Sequence, residues 1–245
     1  MLELARLTPE ATPAALAAWQ RAHAVGDELA VHGRWYGPVA FETVAEGAGT
    51  ATTASTEGLG RAEWRLQRSA TLADLVAPRL RVLIIGLNPS VVAAETGVPF
   101  GGRTNRFWPA AMDAGLLSKD RDPWAAFTGS HIGFTDLVKR ASARADGLTR
   151  AEYAAGAGCV RALVQWLAPT VVCFAGLAGY RAAVDRTAAI GVQSTAFGGA
   201  ITYVMPNPSG ANAHASRADL VAHFTRVHQL ALPPDSGPKP GSLCV

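Results

Sequence analysis

Asn88 stands in a turn, Gly86-Leu87-Asn88-Pro89-Ser90, directly after an apolar, β-branched run at 82–85. The proline behind it forces Asn88 into an extended conformation and aims its carboxamide away from the strand. Thirteen residues past Gly86 comes Pro99-Phe100-Gly101-Gly102, a Gly-flanked aromatic, followed by Arg103 and then Asn105-Arg106-Phe107-Trp108. A carboxamide, an aromatic ring and two arginines after a single strand suit a pocket for a flat, polar ligand beside a phosphate chain.

The same device recurs. The apolar run 201–205 ends in Pro206-Asn207-Pro208-Ser209-Gly210, so a second strand closes on Asn-Pro-Ser. Between the two, 131–136 reads as a strand ending in Thr135-Asp136. Runs this apolar belong in a parallel sheet covered on both faces, and parallel strands present their ends on one side, where chemistry in open α/β sheets collects. Two readings of Asp136 stand: it caps a helix, or it holds a carboxylate at the edge shared with Asn88 to orient or deprotonate water. Ser209 and Gly210 likewise either cap the next helix or form an anion-binding turn.

The segments 86–90, 97–100, 105–108 and 205–210, in that order and with 133–138 between them, resemble the mismatch-specific uracil and thymine DNA glycosylases, a branch of the uracil-DNA glycosylase superfamily. The resemblance covers about 72–232, roughly two thirds of the chain. It implies an α/β fold, a three-layer α/β/α sandwich with a short, mainly parallel central sheet, occupying 71–232. It implies a monofunctional enzyme that flips uracil, thymine or a modified pyrimidine out of a G·U or G·T mispair and hydrolyses its glycosidic bond, leaving an abasic site. By resemblance, Asn88 holds the attacking water, with Asp136 as second catalytic candidate. Gly86, Leu87, Phe100 and Asn105 contact the base, Phe100 by stacking. Asn207, Ser209, Gly210, Ala211, Asn212, His214 and Arg103 contact DNA. The partner is duplex DNA carrying a mispaired or damaged base, with single-stranded DNA as a second candidate; the resemblance implies no cofactor, no metal, no membrane and a monomer in the cytoplasm, on the nucleoid.

One stretch departs from the family. Its members commonly follow Asn-Pro-Ser-Gly with a large wedge residue and, two positions on, an arginine; here the run is Gly210-Ala211-Asn212-Ala213-His214. Ala211 is too small to fill a base-sized gap. Either Asn212 or His214 takes part of that role, or the protein inserts little and depends on weakly paired or single-stranded substrates. His214 reads more simply as a cap or surface histidine. Two other classes stay open: a damaged-DNA- or nucleotide-binding module on this fold without turnover, and a nucleotide-binding α/β protein unrelated to DNA.

Bulk properties fit this without deciding it. At 245 residues and 49% hydrophobic the chain can bury one good core, and a net charge of +3 permits nucleic-acid binding without demanding it. Cys159, Cys173 and Cys244 form no Cys-x-x-Cys pair, so neither zinc nor an iron–sulfur cluster is signalled. The start carries an acidic residue and no apolar core of a secretion signal, and the apolar stretch 162–180 is broken by Gln165, Pro169, Gly176 and Gly179.

Around the motifs, the pattern predicts helices at 13–29, 61–68, 71–76, 109–114, 150–167, 176–184 and 219–230, and strands at 39–44, 170–174 and 201–205. The glycines of 175–180 read as close packing, since the lysine of a phosphate loop is missing. Residues 46–60 read as a small-residue linker, 1–70 as a poorly ordered or loosely docked extension, and 233–245 as a disordered tail. A helix at 61–68 places Arg61, Arg65 and Arg68 on one face, which reads first as a solvated helix face and second as a basic patch touching phosphate.

Overall fold

The computed structural model describes residues 1–58, 61–143 and 147–232. Its centre is a five-stranded sheet ordered β6-β5-β7-β9-β8, built from β5 (Val82–Gly86), β6 (Ile132–Asp136), β7 (Val171–Ala175), β8 (Gly191–Val192) and β9 (Ile201–Met205). All neighbours pair in parallel except the short β8. Side chains alternate along each strand. Val82, Ile84, Phe134, Cys173 and Met205 face one layer, while Leu83, Ile85, Val172, Phe174 and Val204 face the other.

The first layer holds α4 (Phe107–Asp113), α5 (Pro123–Ser130) and α8 (Arg217–Leu230), which bring in Phe107, Trp108, Leu220 and Phe224, all fully buried. The second holds α6 (Arg150–Leu167) and α7 (Leu177–Ala183). The central unit is therefore the expected α/β/α sandwich. Both long helices start on a capping box, Thr149 with Glu152 and Ser216 with Asp219, which satisfies amide groups the first turn leaves over.

The chain leaves β5 through α3 (Val91–Thr96), α4 and α5 over one face to reach β6, then crosses through α6 over the other face to reach β7 on the far side of β5. Strand order thus reverses at β5, and the crevice beyond its carboxyl end is where such sheets bind ligands.

The first 70 residues differ from the expectation. They form a second, four-stranded sheet ordered β1-β2-β4-β3, from β1 (Leu2–Glu3), β2 (Glu28–Gly33), β3 (Thr50–Gly58) and β4 (Arg61–Arg68). Residues 50–58 of the stretch read as linker form β3, and the stretch read as an arginine-faced helix is β4. Residues read as a strand at 39–44 instead enter α2 (Phe41–Gly47). In β4, Ala62, Trp64 and Leu66 are buried at period two, and that apolar alternation outweighs the helical spacing of the arginines. Leu16 of α1 (Thr12–Ala22), Val31, Phe41, Trp64 and Leu66 make a core of their own, against which Ala162 and Trp166 of α6 pack.

Residues 71–76, expected as a helix, form none. Leu75 bridges Phe134 through hydrogen bonds of 2.9 and 3.0 Å. The predicted tail and Cys244 lie outside the described residues.

Candidate functional site

Asn88 lies just past the end of β5. Its amide NH2 donates to the carbonyls of Pro89 and Arg140, both at 3.1 Å, and to the Ser142 hydroxyl at 2.7 Å. Only the nitrogen end can face two carbonyls, so the network fixes the orientation and leaves Oδ1, an acceptor, without a protein donor among the described residues. The segment around Ser142 is pinned in turn by its own N–H on the Pro89 carbonyl, 3.0 Å.

Asp136 ends the neighbouring strand, in register with Gly86. A Cβ at Gly86 would come within 2.2 Å of Asp136 Oδ1 and 3.4 Å of Phe100 Cζ, so the carboxylate occupies the room that glycine leaves. Residues 137–143, which follow β6, form no helix, and this removes the reading of Asp136 as a cap. Burial pushes its carboxyl up to about 7; Lys139 works against the rise and Asp74 adds to it. Lys139 Nζ sits 2.7 Å from both Asp74 oxygens and 2.7 Å from Thr135 Oγ1. Burial also raises Asp74, against the pull of the lysine.

Phe100 adopts a left-handed backbone, φ +54, which costs a residue with a Cβ on the order of 1–2 kcal/mol. Its ring is held by stacking on Phe107 with centroids 4.4 Å apart and planes 13° from parallel. Phe107 in turn meets Trp108, Phe134 and Phe224 edge-on, so one face of Phe100 rests on the sandwich core. The Trp108 indole donates to the Pro99 carbonyl at 2.7 Å and anchors the loop from the other end.

The second Asn-Pro-Ser closes the opposite wall. Asn88, Phe100, Asn105, Asp136, Asn207 and Ser209 all line one cleft of about 200 Å³. Asn207 Oδ1 accepts from Ser209 N at 2.9 Å, Ser209 Oγ from Ala211 N at 3.3 Å, and Asn212 Oδ1 from His214 N at 3.1 Å. Ser209 therefore caps its own turn, while the cap of α8 is Ser216. Gly210, Ala211 and His214 stand exposed on the rim, outside the cleft.

Other expected residues have structural work. Asn105 Oδ1 accepts from Phe107 N at 2.9 Å at the start of α4. The carbonyls of Gly86 and Leu87 accept from Leu137 and Val138. The Leu87 side chain packs on α7, where a Cβ at Gly179 would fall 2.0 Å from it, so the glycines of 175–180 serve close packing as expected. Arg103 is exposed beside Thr104, whose Oγ1 would meet a Cβ on Gly210 at 2.6 Å, so the two loops touch there.

Arg106, read as a pocket arginine, is a clamp. Its guanidinium donates to the carbonyls of Ser209 at 2.9 Å, Asn212 at 2.6 Å and Ala215, and its N–H to Pro208 at 3.0 Å. No sequence pattern points to carbonyl partners a hundred residues away. Ser142 was missed for a similar reason, since it lies in irregular chain; the Asn-Pro step at 88–89 is its one signal.

Fold and cleft together define an α/β protein with a polar pocket, floored by an aromatic ring, at the switch point of a parallel sheet. The sequence profile of the uracil DNA glycosylase superfamily matches residues 73–229, and the chain belongs to that superfamily. A proposed uracil DNA glycosylase from Methanosarcina acetivorans, solved by solution NMR, is similar at 20% identity over 64% of this chain and 97% of that one, with a TM-score of 0.43.

Proposed function

We propose that this protein is a monofunctional DNA glycosylase that excises uracil, and with it thymine or modified pyrimidines, from mispairs with guanine. The observation that carries the reading is the meeting of Asn88 Oδ1, the Asp136 carboxylate and the Phe100 ring in one cleft, with Asn207 and Ser209 opposite.

A stacked base hides its sugar carbon, so the nucleotide must leave the duplex, which costs least at a weak pair. The extruded pyrimidine stacks on the face of Phe100 not covered by Phe107, a contact worth about 1–3 kcal/mol. Asn88 Oδ1 accepts a hydrogen bond from the water below the sugar and orients it; an amide oxygen cannot take its proton. Asp136 can, since a carboxyl raised to about 7 is close to half ionised at neutral pH. As the C1′–N1 bond breaks, its electron pair leaves on the pyrimidine, water oxygen bonds to C1′ of an oxocarbenium-like sugar, and the water proton passes to Asp136. The small Ala211 at the rim contributes little wedge, so the reading favours weakly paired substrates.

The test is a panel of duplexes with G·U, G·T and A·U pairs and uracil in a single strand, scored for alkali-labile strand breaks. Release from G·U ahead of A·U supports mispair selection; equal release from both refutes it. Binding to the panel with no release from any member would mark a binding module.

A further inference from the structure

A second groove, of about 420 Å³, lies against the cleft and shares Leu72, Pro99 and Phe134 with it as a common wall. One side is the segment 95–99 that leads into Phe100. The other is supplied by the N-terminal sheet unit, which lies outside the matched 73–229, through Arg21 at the end of α1 and Arg68 at the end of β4.

The strand geometry of β4 separates its arginines. Arg61 and Arg65 are four apart and share the exposed face, while Arg68, seven from Arg61, falls on the opposite one. Its backbone is fixed at both ends, N–H to Asp27 at 2.8 Å and carbonyl to Gly26 at 2.9 Å. Its Nε is buried and has no hydrogen-bond partner among the described residues. Arg21 lies over the Trp124 ring, 5.2 Å from the centroid. Neither arginine has an acidic partner among the described residues. Arg121, also in the wall, pairs with Asp120, and Asp122 is occupied capping α5. Glu95 is the one wall acid without a partner among the described residues, and it is exposed.

Two guanidiniums without an acidic partner among the described residues, one half-buried and one lying over an indole, leave the groove wall short of an anion with several acceptor oxygens. We propose that this groove binds a backbone phosphodiester of the DNA strand flanking the extruded nucleotide, with Arg21 and Arg68 as its donors. The inference rests on the glycosylase reading and gives the N-terminal unit a part in it: the second sheet widens the DNA footprint beyond the matched domain.

The test is the affinity of the full chain for a fluorescent, undamaged duplex, measured across a salt series, which needs no excision. Removing one phosphate-binding cation lowers the slope of log K against log salt by about 0.9. Arg21→Gln, at an exposed position outside the core, and Arg68→Gln are each expected to lower the slope by about that much, with Arg68→Lys restoring most of it. Glu95→Gln is expected to tighten binding. Unchanged slopes in both glutamine variants, with the wild type binding DNA and releasing uracil, would overturn the groove and leave the glycosylase reading intact. Weakened uridine monophosphate binding in those variants, with an unchanged DNA slope, would assign the groove to a free nucleotide and also overturn it. A wild type that binds no DNA would defeat both.

Discussion

The Ser142 hydroxyl lies 2.7 Å from the Asn88 amide nitrogen, and this contact helps decide which end of the carboxamide faces the cleft. Ser142→Ala removes one of three acceptors and loosens that choice without emptying the pocket. We expect kcat to fall roughly 3- to 10-fold, about 1 kcal/mol for one hydrogen bond, with KM for DNA unchanged. Single-turnover excision measures it; a rise in KM at constant kcat would show that Ser142 touches substrate instead.

As the proposed general base, Asp136 would link activity to pH. With its carboxyl near 7, kcat should climb as pH rises through that value and level off above it, and Asp136→Asn should flatten the profile at a much lower rate. The same burial carries a stability cost with the opposite sign. Since the folded value is raised from 3.8 to about 7, the neutral form is favoured in the fold; its stabilisation is complete below 3.8 and is lost as pH rises to about 7. Asp136→Asn should therefore raise Tm at pH 8 and leave it nearly unchanged at pH 4. A Tm that drops equally at both would contradict the burial account.

Gly86→Ala tests the register of β5 against β6 at the proposed site. The new methyl would sit 2.2 Å from Asp136 Oδ1, so the carboxylate must move. Excision should fall at least about tenfold, the effect of a small displacement of a catalytic group. Circular dichroism should stay that of the native fold; full activity would show that Asp136 has no fixed post.

The exposed rim predicts a gain. Ala211→Leu adds the bulk that the loop lacks, and affinity for duplex carrying an abasic site should rise severalfold. An unchanged dissociation constant would show that Ala211 does not face the gap.

Much of the central sheet was legible because β5, β7 and β9 are short, mostly apolar and closed by Gly or Pro, and because 150–167 carries one clear apolar face. The cleft followed from that, since Asp136 ends one strand of the sheet while Asn88, Asn207 and Ser209 lie in the turns just past two others. The N-terminal sheet was not legible. Thr50–Gly58 has small polar side chains and is a strand only because β4 pairs with it, a long-range fact. In β4 the arginine spacing suggested a helix, while Ala62, Trp64 and Leu66 carried the period that held. The Arg106 clamp and the Lys139–Asp74 pair join distant segments and leave no local pattern.

The central claim is that Asn88 and Asp136 together bring water to the sugar of an extruded pyrimidine. Its most direct measurement is alkali-labile strand breakage of a G·U duplex by the purified wild type and by Asn88→Ala combined with Asp136→Asn. The account predicts breakage at the uracil by the wild type and none above background by the double variant, which still binds the duplex. Breakage by the double variant at the wild-type rate would contradict it.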